Sequence, residues 1–104
     1  MAFHTYQKGT TDIAYTFNPG KAFQLEEFRL HLESAGGANN FTATLLSAEG
    51  SEHDIVLNTQ DMTSVTDEQY QPTRPLSFRS GDTIRFEWSN DSSVQWGLEI
   101  VVNY

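Results

Sequence analysis

No cysteine occurs in the 104 residues. Disulfides, thiol nucleophiles and thiolate-held zinc are therefore excluded. A core of this size must rest on packing, with or without self-association. Small secreted domains commonly lean on disulfides, so the absence fits a chain made in a reducing cytoplasm. Positive charge is scarce as well: six Lys and Arg stand against fourteen Asp and Glu, a formal net charge of −8. Residues 1–52 hold three basic against six acidic residues, and residues 53–104 three against eight. Without a basic stripe, the main driving force for binding a phosphate backbone or an anionic membrane surface is missing. Neither nucleic acid nor membrane is an expected partner. No apolar run exceeds three residues, Ile100–Val102 being one, far short of a membrane span. The opening MAFHTYQKG also lacks the apolar region of a signal peptide.

What is present is a period of two. Ile13, Tyr15 and Phe17 alternate with polar or small residues, as do Ile84, Phe86 and Trp88. Val94, Trp96, Leu98, Ile100, Val102 and Tyr104 share one parity, the pattern of a long final strand. Further strands are expected at 41–47, 54–60 and 75–78. In KAFQLEEFRLHLE the apolar parity changes, from Phe23 and Leu25 to Phe28, Leu30 and Leu32. A slip of one residue turns side chains to the other face unless a bulge absorbs it, so a bulge is expected at Glu26-Glu27. A helix is the competing reading of this segment. Between Asp61 and Pro75 the pattern fails, and Pro72 and Pro75 cannot donate to a ladder, which predicts a loop or an edge. Turn signals at NPG, AGGANN, AEGSE, SGD and NDSS recur throughout. Together these predict an all-β antiparallel sandwich, jelly-roll-like, of about eight strands. Residues 13–104 form its single domain, preceded by an aperiodic N-terminal arm at 1–12 that would order against a neighbouring subunit. The expected core is Tyr15, Phe17, Phe28, Leu30, Leu32, Leu45, Ile84, Phe86, Trp88, Trp96, Leu98 and Ile100.

Chemistry-bearing patterns are few. The glycines of SAGGANN are followed by an alternating strand and no lysine, so they predict a hairpin rather than a phosphate loop. His31 sits between Arg29 and Glu33 on a polar outer row. His4, His31 and His53 have no metal-ligand spacing, and no metal or cofactor is expected. Asp82 and the turn Asn90-Asp91-Ser92-Ser93 could offer oxygens to calcium, but the DxDxDG pattern is absent and an ordinary turn is the plainer reading. Two glycosylation sequons begin at Asn40 and Asn90. A glycoside hydrolase would need two carboxylates across a substrate bond. Glu26 and Glu27 would face opposite ways, and Glu87 and Glu99 fall on solvent parities of strands read as neighbours. The chain reads as a non-enzyme. Trp88 and Trp96 continue apolar stripes and read as core; exposed, they would form a sugar-stacking platform. Contact residues are expected among Phe3, His4, Tyr6, Tyr70, Arg74 and Tyr104, with tyrosine's apolar ring and polar tip suited to an interface.

The strings FQLEEFRLHLESAGGANNFTATL, VLNTQDMTSVTDEQYQPTRPLSFRSGDTIRFEWSND and WGLEIVV, spanning about residues 21–102, resemble a group of small proteins encoded among virion genes of tailed bacteriophages and prophages. The resemblance implies a virion accessory: a capsid decoration (cement) protein, or a tail or neck component. It further implies a homotrimer bound to the major capsid protein or another virion protein, in a virion built in the bacterial cytoplasm. The L-x-F-x-x-G-D-x-I-x-F phrase also recurs in jelly-roll carbohydrate-binding modules, so glycans are the alternative partner.

Overall fold

In a computed structural model, residues 2–104 are described. They form nine strands: β1 Ala2–Gly9, β2 Ile13–Phe17, β3 Phe23–Leu32, β4 Asn40–Leu46, β5 Ile55–Asp61, β6 Asp67–Tyr70, β7 Leu76–Phe78, β8 Thr83–Trp88 and β9 Trp96–Asn103. A single 3₁₀ turn, Ser51–His53, lies between β4 and β5. The pairings are nested: β1 with β9, β2 with β8, β3 with β6 and β7, β4 with β5. The chain is thus one long antiparallel ribbon, folded at the β4–β5 hairpin and rolled up. The roll is closed by β9 against β3 and β8 against β4. This is a jelly roll, with a front sheet β1-β9-β3-β6 that also carries β7, and a back sheet β2-β8-β4-β5. The strands β6 and β7 lie end to end along one edge of β3. Pro72 and Pro75, which lack an N–H, fall in the break between them.

The inner faces meet in a core rich in aromatic rings. Phe28 is fully buried; its ring meets Phe86 edge-on at 5.1 Å and Phe41 at 6.1 Å, and stacks on Tyr70 at 5.1 Å. Such offset and edge-on pairs add to the burial of the rings themselves. Ten of the twelve residues expected in the core are buried; Tyr15 and Leu45 are half-buried at its margin. Met62, fully buried in the irregular segment after β5, had no periodic signal.

Two expectations give way, and one competing reading. Residues 2–9 are no arm: β1 pairs with β9 over its whole length, from Ala2↔Asn103 to Gly9↔Trp96. Its inward positions Thr5, Gln7 and Gly9 are polar or small because an edge strand covers the core only partly, and this hides the period. SAGGANN is no hairpin either, since β3 and β4 belong to different sheets and the segment crosses between them. Gly36 serves close approach there. A Cβ would stand 2.8 Å from the Met62 carbonyl, and the segment bridges Thr63. The helix reading of 21–33 fails, while the bulge is present: β3 shifts register against β9 between Leu25 and Glu27.

Candidate functional site

The outer face of the front sheet gathers most of the chemistry. Antiparallel register sets its side chains in cross-strand rows. One row runs Tyr6, Glu99, Arg29, Gln69; the next runs Lys8, Gly97, His31, Asp67. Glu99 is the hub. One carboxylate oxygen lies 2.6 Å from His4 Nδ1 and the other 3.4 Å from an Arg29 nitrogen. Interaction with the same carboxylate pushes Tyr6 above its ordinary value. The hydrogen bond from His4, with those from Tyr6 and the Arg29 charge, holds the Glu99 carboxyl below its ordinary value against the cost of partial burial. Arg29 also bonds Glu27 at 3.1 Å, and Gln69 donates to Glu27 at 2.8 Å.

On the second row, His31 Nδ1 lies 2.6 Å from Asp67 Oδ1. The bond raises the imidazole pKa, and together with the Thr66 hydroxyl it lowers that of Asp67. Between Lys8 and His31 stands Gly97, which has no side chain. The result is an open depression of about 680 Å³, walled by Tyr6, Lys8, Arg29, His31 and Glu99. Every carboxylate of these rows is engaged by a donor.

His4 and Tyr6 are brought together here, their rings 6.3 Å apart and nearly parallel. Phe3 and Tyr104 meet elsewhere, at the end of the β1–β9 pair. Their rings are 4.9 Å apart, with Lys21 Nζ 3.9 Å from the centre of the Tyr104 ring. Tyr70 is half-buried and stacks on Phe28. Arg74 is exposed in the 71–75 break and pairs with no acid among the described residues.

Other candidates separate. Glu87 and Glu99 were read as near neighbours, but β8 and β9 lie in different sheets and the two residues point from opposite outer faces. Trp88 and Trp96 are only 2% and 7% exposed, so neither forms a sugar platform. Several of the turn oxygens offered to calcium already accept hydrogen bonds. Both Asp82 oxygens accept backbone N–H groups, from Ala48 and Arg79 at 2.9 Å each. Asn90 Oδ1 accepts the Val94 N–H. His53 sits in the 3₁₀ turn beyond the back sheet, far from His4 and His31. Among the described residues no group of three or more His, Asp or Glu stands together as a metal site would.

Sequence reading missed Lys8, Asp67, Gln69, Gly97 and the hub role of Glu99. Most of these meet only through the register of four strands. Gly97 alone gave a local signal, a glycine inside an otherwise apolar strand.

No family model matches the chain, and no curated protein matches it. Solved structures do. The nucleoplasmin-like N-terminal domain of Drosophila FKBP39 is similar over 100% of this chain and 91% of its own length, with 16% identity and a TM-score of 0.52. This is a likeness of fold alone. A structure of infectious bursal disease virus, Gx strain, aligns over 99% of this chain but 32% of its own, at 10% identity and a TM-score of 0.46. The chain spans about a third of that protein's length, and so loose a match carries no argument.

Proposed function

We propose that the chain is a non-enzymatic structural protein of a tailed-phage virion, a decoration protein that binds and stabilises the capsid lattice as a homotrimer. The phrase-level resemblance supplies the virion and the trimer. The observation that carries a binding role is the free edge of the back sheet. Ile55 and Val56, at the start of β5, are each 58% exposed, and β5 pairs only with β4. Successive residues of a strand face opposite ways, so two exposed neighbours mean that this end of β5 overhangs the core. An apolar, unpaired strand edge in water invites association. A lattice partner or a second copy would cover it. Glu99, Glu27 and Asp67 on this face are each engaged by a donor, which favours a contact surface over a catalytic one.

Light scattering after size exclusion tests this reading, with and without purified capsids of the phage that encodes the chain. The expected result is a mass near three times 11.7 kDa and co-elution with capsids. Both should be weakened by Ile55→Asp with Val56→Asp. A monomer that ignores capsids would refute the proposal and favour a tail or neck position.

A further inference from the structure

Several glycines in this chain have a structural reason, and Gly37, which has none, lies in the crossing between the sheets outside any strand. Gly36 is pressed against Met62, and Gly20, Gly50 and Gly81 adopt positive φ. Gly97 has neither reason. It lies within β9, a strand paired on both sides, and a Cβ added to it would meet nothing within 4 Å. Glycine inside a strand weakens it by about 0.5–1 kcal/mol relative to alanine. Where no neighbour requires it, such a glycine marks a place that something else approaches closely.

The walls around Gly97 specify the visitor. Tyr6 is 69% exposed. His4, two residues before it on β1, flanks one side of the ring, 14° from parallel. Tyr6 and Lys8 both line the depression. Across the gap, two strand spacings or about 10 Å from Lys8, stands His31, its Nδ1 held by Asp67 and its Nε2 side unbonded. Arg29 and Glu99 close one end, and Lys8 forms no ion pair among the described residues. Cations and carboxylates are mixed, so the site favours neither a phosphate nor a polycation. An exposed aromatic ring beside hydrogen-bond donors and acceptors suits a neutral polyol with one apolar face. Such a molecule lays its C–H bonds on the ring and its hydroxyls against the rim.

We infer that the Gly97 depression is a saccharide-binding site for a neutral pyranose of one to three rings, held by the exposed ring of Tyr6 and by Lys8, Arg29 and His31. This goes beyond the virion reading and stands apart from it, because the β5 edge and this face lie on different sheets. Weak, millimolar-to-micromolar affinity is expected for so open a site.

The test uses the full chain on an array of neutral gluco-, galacto-, manno- and N-acetylglucosamine oligosaccharides, followed by titration of the best binder. Gly97→Val fills the gap and suits a strand; Tyr6→Ala removes the ring. Each should weaken binding at least about tenfold while circular dichroism and Tm hold. Ile55→Asp with Val56→Asp should leave sugar binding unchanged. A blank array at up to about 1 mM sugar, the weak end of specific affinity, overturns the inference, as does unchanged binding in both front-face variants. Loss of capsid binding by Gly97→Val with a blank array would make this face a protein interface, and that also overturns it. Sugar binding that survives in a chain ignoring capsids supports the inference and refutes the decoration reading alone.

Discussion

Replacing Asn90 by alanine should cost more than any other single change outside the apolar core. Asn90 lies in the turn between β8 and β9 and is 7% exposed. Its side-chain oxygen accepts the Val94 N–H at 2.9 Å, and its NH₂ reaches the carbonyls of Val94 at 2.7 Å and of Thr10 and Thr11 at 3.1 Å. One amide therefore clasps the β8–β9 turn to the β1–β2 turn. The backbone bond from Asn90 to Asp12, 2.7 Å, survives the substitution. Two amide hydrogens shared over three carbonyls, plus one accepted bond, amount to about three bonds at roughly 1 kcal/mol each. Leaving the Val94 N–H buried without a partner works in the same direction. The expected loss is about 2–4 kcal/mol, a large share of the roughly 5–15 kcal/mol available to such a domain. That corresponds to a fall in Tm of about 10–25 °C. Asn90→Asp keeps the shape but turns a carboxylate towards carbonyl oxygens. Its penalty should exceed that of alanine at neutral pH and shrink as the carboxyl is protonated in acid. Urea melts at pH 7 and pH 4 measure both. A loss below about 1 kcal/mol for Asn90→Ala, too small for three buried bonds, would refute the clasp.

Phe28→Ala removes the ring shared by Phe41, Phe86 and Tyr70 and should cost about 3–5 kcal/mol in the same melts. Gly36→Val should destabilise by about 1–3 kcal/mol through its collision with Met62, whereas Gly97→Val should be nearly neutral. The His31–Asp67 pair sets a pH window. Its bond raises His31 above its ordinary 6.5 and lowers Asp67 below its ordinary 3.8. The histidine's contribution is complete below 6.5 and fades as pH rises through the raised value; the aspartate's is complete above 3.8 and fades as pH falls through the lowered one. Asp67→Asn should therefore reduce stability most between pH 3.8 and 6.5, and NMR titration should find His31 lower in the variant than in the unaltered chain. Removal of residues 2–9 should expose the edge of β9 and lead to aggregation, read by light scattering, since β1 is part of the front sheet.

Much of the jelly roll is legible in the residues because half-buried strands alternate. β2, β3, β8 and β9 stand out for that reason, and the change of parity at Glu26-Glu27 locates the bulge. β1 is invisible because its inward side is Thr5, Gln7 and Gly9. The SAGGANN crossing reads as a hairpin because two alternating strands look alike whether they pair or lie in opposite sheets. Sheet membership is a long-range property, and only the nested pairing decides it. The same limit hides the front-face site. Glu99 meets His4 across 95 positions of sequence, and no local pattern encodes that register. Val101 hints at it: on the outward parity yet buried, it marks β9 as a strand flanked on both sides.

The central claim, a lattice-binding structural protein, is tested most directly by titrating the chain onto purified capsids and measuring bound copies by sedimentation. The account predicts saturation at a fixed number of copies per capsid, with raised thermal stability of the shell, and loss of both in Ile55→Asp with Val56→Asp. Binding that never saturates, or none at all, would contradict it.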